Sequence, residues 1–497
     1  MSTLIPEGAG RLAFGSAIGW GALGALVAAV PALWMWGFTV DDALISVRYA
    51  RHVATGIGWR FNSHGASTDG VTPLPWPVLL APFARAGALT VLGRAKAIGL
   101  CVWVATGAVL GRSIGRRASP AWARLATLIA TAFSVPLAAY AVSGMETAIA
   151  TSFATFAVLA RSPRAVALLA GSAAAFRPEM APWAFVFSSA IAAVAGGELG
   201  QGRHAGEDMH RKVASTIVCG VLSVVPFGAC ALVRVCVWGR PAPLAMLAKP
   251  GDVSYGLAYA GAATFVTVLP ILVVAPVAVR RSPRAAAIVL AALAHACSVV
   301  IVGGDWMPYA RLFVPILPSL AVAAALLSEH ANRVATAFRS LAAVSLGAVL
   351  VSGGAGGRRV SRDRQVLIAA ARPLLADARH VAVLDVGWVS AATEADIVDL
   401  AGVTDPQIAA LPGGHTSKRV SAAMLLERAP DLLLLYAPEG LPDGLLAGWR
   451  NATFRGAVEA RLARDDVIAR HFAASSWLPL GEKGAGYVVL SRRDSDP

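Results

Sequence analysis

The chain has 497 residues, 57% of them hydrophobic and 14% charged, with a formal net charge of +14. A mean hydropathy of +0.63 excludes a water-soluble globule and points to a polytopic α-helical membrane protein. The basic residues fall in small clusters between apolar runs, not in a stripe interleaved with aromatics, so they read as charges that orient the chain in a bilayer; no nucleic acid is expected as a partner.

In chain order, the first apolar run is 13–36, preceded by Arg11 and ending at Trp34 and Trp36 without a small-residue cleavage site, so it is expected to stay as the first span. Further runs lie at 97–111, 120–141, 146–160, 165–176 joined to 181–196, 213–233, 258–279, 285–303, 311–328 and 340–353, which predicts about eleven spans. The stretch 74–92 is ambiguous, with Pro73, Pro75 and Pro77 at its start and Arg85 in its middle. Laid flat as an interfacial helix on the outer surface, it leaves the loops Arg112/Arg116/Arg117, Arg161/Arg164, 203–212, Arg280/Arg281/Arg284 and Arg333/Arg339 all on the cytoplasmic side, as the positive-inside rule favours. Cys101, Cys219, Cys230, Cys236 and Cys297 have no CxxC spacing and read as small membrane-buried side chains. Neither a disulfide framework nor a zinc site is expected.

This parity places nearly all the unusual polar residues in outer loops: 37–73, 142–147, 177–179, 234–257 and 303–311. In the first, Asp41 and Asp42 stand side by side at the mouth of an apolar helix. Such a pair loses solvation and repels itself, which points to chemistry, a cation or a cap; an N-cap accounts for one aspartate and not for both. The apolar Leu44, Ile45, Val47, Tyr49 and Ala50 interleave with Ser46, Arg48 and Arg51, as in a short amphipathic helix lying along the surface. His64 and Asp69 sit among glycines, where a turn is the default reading. Ser143 and Glu146 have the spacing of a capping box, which suffices for them taken alone.

Arg177, Pro178 and Glu179 interrupt an apolar stretch. A guanidinium at this depth suits a lipid-linked phosphate, which it grips with two parallel hydrogen bonds; the alternative is an internal Arg177–Glu179 pair or a snorkelling arginine. In 303–311, Gly303 and Gly304 permit a tight turn, Trp306 and Tyr309 offer flat faces for a sugar ring, and Arg311 adds a second cation at phosphate depth. An interfacial aromatic belt with a snorkelling arginine is the other reading. No nucleophile elbow, HExxH or phosphate loop occurs.

After residue 353 the composition changes. A glycine-rich linker over 353–359 precedes strand-like pieces at 381–386, 397–400, 431–436 and 487–490 with helical stretches between them. This predicts a small extracytoplasmic α/β domain at 354–497 behind a transmembrane domain at 1–353. Asn451-Ala452-Thr453 matches a glycosylation sequon, a pattern that arises readily by chance.

Taken together, Asp41-Asp42-Ala43-Leu44-Ile45-Ser46-Val47-Arg48-Tyr49-Ala50, Gly58-Trp59-Arg60-Phe61-Asn62, Asp69-Gly70-Val71-Thr72-Pro73-Leu74-Pro75-Trp76, Ser143-Gly144-Met145-Glu146-Thr147-Ala148, Arg177-Pro178-Glu179, 303–311 and Asp399-Leu400-Ala401-Gly402-Val403-Thr404-Asp405-Pro406 resemble, in family order, the GT-C membrane glycosyltransferases that use polyprenyl-phosphate sugars. The arabinofuranosyltransferase-like branch, which includes the terminal β-(1→2)-arabinofuranosyltransferases, is the most similar. The chain departs from it where Thr68-Asp69-Gly70-Val71 replaces a glutamate-glycine-tyrosine and where Leu44 replaces a tyrosine. The resemblance implies a bacterial inner-membrane enzyme with an extracytoplasmic site, a polyprenyl-phosphate sugar donor and a glycan or lipid-linked acceptor. By the same resemblance Asp41 is the general base, with Asp42 orienting the acceptor or taking a divalent cation. Arg177, Arg311 and Arg48 would hold donor phosphate, while Tyr49, Asp69, Glu146, Glu179, Asp305, Trp306 and Tyr309 would bind substrate. The rival is a lipid-linked-sugar transporter or flippase, which should show paired broken helices in two related halves; no internal repeat is evident. A GT-C enzyme for another sugar, such as mannose, is the further alternative.

Overall fold

The computed structural model describes residues 7–199, 205–249, 251–267, 276–481 and 484–493. The chain forms two compact units: Met1–Phe38, Lys96–Cys230 and Gly251–Arg358 make the first, and Thr39–Ala95, Ala231–Pro250 and Arg359–Pro497 the second. The division differs from a single cut at 353, because two earlier segments cluster with the C-terminal residues.

Among the described residues, seven helices are long and apolar enough to cross a membrane: Ala17–Trp34, Ala88–Gly115, Pro178–Ala195, Met209–Trp238, Pro283–Val302, Arg311–His330 and Arg333–Gly353. The pair Ala121–Ala132 and Val135–Ala141, bent by 56°, makes an eighth if counted as one span. The eleven of the sequence reading are therefore not all matched. Thr147–Leu159 and Pro163–Phe176 have 13 and 14 residues, which at a helical rise is only about 20 Å against a hydrocarbon core of about 30 Å. The expected join of 165–176 to 181–196 is broken at Arg177, whose φ of −136° and ψ of 91° are the extended geometry forced on a residue before proline. The expected span 258–279 lies partly outside the described residues, which hold Val253–Thr267 and a helix from Pro276.

The stretch 74–92 is not one interfacial helix. It forms a short helix, Pro75–Leu80, a 3-10 turn, Ala81–Phe83, and a bend through Gly87, after which residues 88–92 begin the long Ala88–Gly115 helix. Proline at the first turn of Pro75–Leu80 starts a helix well, since it lacks only an N–H that would be unpaired there anyway.

The core of the first unit is rich in alanine, with Ala154, Ala157, Ala170, Ala173, Ala184, Ala287, Ala291 and Ala323 all buried around Trp183 and Phe187. Between lipid-embedded helices, small residues let backbones approach and gain dispersion contacts. Gly107 and Gly111, four apart, face Gly24; a Cβ on Gly24 would stand 2.7 Å from the Gly111 Cα. The 353–359 stretch is a pinned turn and not a loose linker. Arg358 donates to the Trp34 carbonyl at 2.9 Å and lies over the Trp34 ring at 4.7 Å.

In the second unit, β1 (His380–Val383), β2 (Asp396–Asp399), β3 (Leu432–Ala437), β4 (Phe472–Pro479) and β5 (Gly486–Arg492) form one sheet in the order β2-β1-β3-β5-β4. β1 is parallel to both β2 and β3, while β5 is antiparallel to β3 and β4. β2 and β3 lie on either side of β1, and the carboxyl end of β1 is the position where parallel sheets hold their functional groups. The Asp41–Ala54 helix is tied into this unit by Arg48, 1% exposed. Its guanidinium donates to the carbonyls of Phe61 (2.7 Å), Thr393 (3.1 Å), Glu394 (3.5 Å) and Ala395 (2.8 Å).

Candidate functional site

The residues singled out in the sequence fall into two clusters, one in each unit. In the second unit, Asp41 opens the Asp41–Ala54 helix, but the N-cap is Val40, in extended conformation. Neither aspartate is therefore the cap of its own helix. Asp41 instead accepts the Gly387 N–H at 2.8 Å and the Trp388 N–H at 2.9 Å, one on each carboxylate oxygen. Gly387 is required there, because a Cβ would stand 2.7 Å from the Asp41 carboxylate carbon.

These two amides follow Asp385, which lies just past the end of β1 and is buried. Asp385 pairs with Arg455 and accepts the Tyr487 hydroxyl at 2.6 Å; Tyr487 in turn accepts from Arg364 at 3.2 Å. Glu459 accepts the N–H groups of Tyr436 and Gly456, both at 2.8 Å. Burial works against ionisation of Asp385, yet Arg455, Arg364 and the Tyr487 hydroxyl outweigh it and hold the carboxyl below its usual range. Asp41 goes the other way. Burial, then the charge of Asp385, push it up to about 6 against the pull of Arg364 and the Gly387 amide, with Asp42 adding to the rise. The result is two carboxylates with different basicities, the separation that divides acid from base at a catalytic site.

The other second-unit candidates have internal partners. Arg48 spends its fork on main-chain carbonyls, as described above, so it is a strut and not a phosphate clamp. The Tyr49 hydroxyl bonds Thr68 Oγ1 at 2.8 Å and accepts the Gly70 N–H at 3.1 Å, with its ring against Trp59 and Phe61. Asp69 is fully buried and paired with Arg234 at 2.8 Å. A cavity of about 620 Å³ in this unit is lined by His64, Arg379, His380, Glu394 and Asp396, among others. Among the described residues no group of three or more His, Cys, Asp or Glu side chains is arranged to hold a metal ion.

In the first unit three loops far apart in sequence meet. Arg177, 4% exposed, lies between Glu146 at 2.9 Å and Glu179 at 2.6 Å. Arg311 pairs with Asp305 at 2.6 Å and reaches the Met145 sulfur at 3.8 Å, and its charge acts on Arg177. His295 bridges the Glu179 and Leu312 carbonyls, and the Tyr140 hydroxyl donates to the Pro308 carbonyl at 2.9 Å. The capping-box reading of Ser143 and Glu146 does not hold: Glu146 turns to Arg177, while the Ser143 hydroxyl bonds the Tyr140 carbonyl and the Met145 N–H. The 303–311 loop is strained, with Tyr309 at φ 62° and Ala310 at φ 47°, a left-handed geometry that costs a non-glycine residue about 1 kcal/mol or more and gathers at functional sites. It leaves Trp306 45% exposed. Tyr309 is spent on packing against Phe38 and on the Gly353 carbonyl.

Two arginines face three acids here, so an entering phosphate competes with carboxylates for the guanidinium groups. Sequence reasoning missed Asp385, Arg364, Arg455, Tyr487, Arg234 and His295. Of these only Asp385, a polar residue closing an apolar strand two positions before a glycine, carries a local signal.

A family model described as a domain of unknown function (DUF8728) matches residues 360–481. It covers the segment that carries Arg364, Asp385, Gly387, Arg455 and Glu459. No curated protein matches the chain.

Proposed function

We propose that the protein is a membrane glycosyltransferase of the GT-C type. It moves a sugar, arabinofuranose with mannose as the alternative, from polyprenyl phosphate to a hydroxyl of a glycan or lipid-linked acceptor. The reaction takes place on the extracytoplasmic face of the bacterial inner membrane, with the C-terminal domain outside. The observation that carries this reading is Asp41: a carboxylate oriented by two amide N–H groups and tuned to about 6, close enough to neutrality to accept a proton and still ionised at pH 7.

In this mechanism the acceptor oxygen attacks the anomeric carbon as its proton passes to Asp41. The bond from that carbon to the phosphate oxygen breaks, and polyprenyl phosphate leaves with the electron pair. The leaving group is a stable anion, so the protein needs a base, orientation and cations more than an acid. Within the first unit taken by itself, Arg177 and Arg311 are the cations suited to a donor phosphate, and Trp306 is an aromatic suited to a sugar ring. The polar lining around His64 and Asp396 suits acceptor hydroxyls.

Purified protein incubated with radiolabelled polyprenyl-phosphate arabinose, with the mannose donor in parallel and a panel of glycan acceptors, should yield labelled glycan from one donor. Failure with every donor and acceptor would overturn the proposal. Arg177→Ala should weaken donor binding by about tenfold or more; unchanged donor affinity would return Arg177 to a structural role.

A further inference from the structure

Arg339, in the Arg333–Gly353 helix, is 3% exposed. Its hydrogen bond among the described residues goes to the Ser328 hydroxyl, and its Nη1 has no partner. Among the described residues no carboxylate pairs with Arg339 to balance the charge. A guanidinium held in apolar surroundings without a counter-ion is costly, which makes such a residue at membrane depth a candidate for function.

The guanidinium lies at one end of a groove within the first unit, walled by residues from Ala126 to Leu137, from Leu317 to Ser328 and from Arg339 to Leu350. Beyond Arg339 and Ser328 the lining is dominated by Leu, Ala, Phe and Pro. Its threonines are spent: Thr127 donates to the Ala123 carbonyl and Thr131 to the Thr127 carbonyl. Gly347 lets Phe133 close in on the middle of the wall, where a Cβ would stand 2.7 Å from the Phe133 Cβ. From Arg339 to Leu350 the helix rises about 16 Å, close to the depth of one bilayer leaflet. One cation at the end of an apolar slot of that length has the shape of a phosphate with a hydrocarbon chain attached.

We propose that this groove binds an anionic phospholipid, with the phosphate on Arg339 and Ser328 and an acyl chain lying toward Leu350. The site shares no residue with the Asp41 or Arg177 clusters, so it stands whether or not the transferase reading holds.

The test uses the full chain in a neutral detergent, with thermal unfolding and native mass spectrometry as readouts. Phosphatidylglycerol should raise the melting temperature and remain bound, whereas phosphatidylcholine should do neither. Arg339→Gln should lose that difference, with phosphatidylglycerol affinity down by about tenfold or more. Ala343→Phe, which fills the slot and keeps the cation, should lose it too. Equal stabilisation by the two lipids, or a phosphatidylglycerol advantage that survives in Arg339→Gln, would overturn the proposal. So would sodium phosphate alone reproducing the gain, since the site would then read free phosphate and not a lipid. If Arg339→Gln does not fold, the two-lipid comparison on the wild-type protein decides.

Discussion

Asp41 is legible in the sequence because two adjacent acids after an apolar run violate what a bilayer tolerates. What holds it is not. Gly387 and Trp388 lie nearly 350 positions away, and they reach Asp41 through main-chain N–H groups that any residue type carries. Asp385 hides as the end of a strand. Its effect on Asp41 gives a pH prediction. The base works ionised, so turnover rises as pH passes through about 6. Removing the Asp385 charge removes a repulsion and frees Arg364 to act on Asp41, and both changes lower the Asp41 pKa. In Asp385→Asn the acidic limb of kcat/KM should therefore move to lower pH, even if the lost Arg455 pair costs stability. A limb that stays in place would uncouple the two carboxylates.

At the level of elements, the strands of apolar, β-branched composition could be read directly: β1, β2, β3 and β5 all overlap expected stretches. β4 could not, because Phe-Ala-Ala-Ser-Ser-Trp-Leu-Pro lacks the β-branched run of a central strand. It lies at the sheet edge, where half-exposed Ser and Ala suffice. The helix breaks at Arg177 and Phe133 follow from the prolines just beyond them, yet hydropathy windows smooth over both.

Arg48 shows the limit of motif reading, since a basic residue beside a catalytic candidate turned out to be a strut. Arg48→Lys keeps the charge and loses the fork, so it should destabilise the protein by about 2 kcal/mol or more. Thermal unfolding measures this, and an unchanged midpoint would remove the strut role. Gly111→Leu should cost about 1–3 kcal/mol by forcing the Gly24 and Gly107–Gly111 backbones apart; full retention of thermal stability would show that this approach is dispensable.

For the whole molecule, composition alone was enough to establish a polytopic helical membrane protein. The span count was less legible, because apolar helices too short to cross a bilayer have the same hydropathy as helices that do. The grouping of 39–95 and 231–250 with the C-terminal residues left no trace in composition, since it depends on buried pairs such as Arg48 with the 393–395 carbonyls and Asp69 with Arg234. The convergence of Glu146, Arg177, Asp305 and Arg311 was suggested by their shared placement in loops of one parity. The central claim is that Asp41 takes the acceptor proton, and the measurement that meets it most directly is sugar transfer by Asp41→Asn, with donor binding recorded on the same preparation. The account predicts a protein that folds and binds polyprenyl-phosphate sugar at wild-type affinity while turnover falls by about a thousandfold. Turnover near wild type in that variant would contradict it.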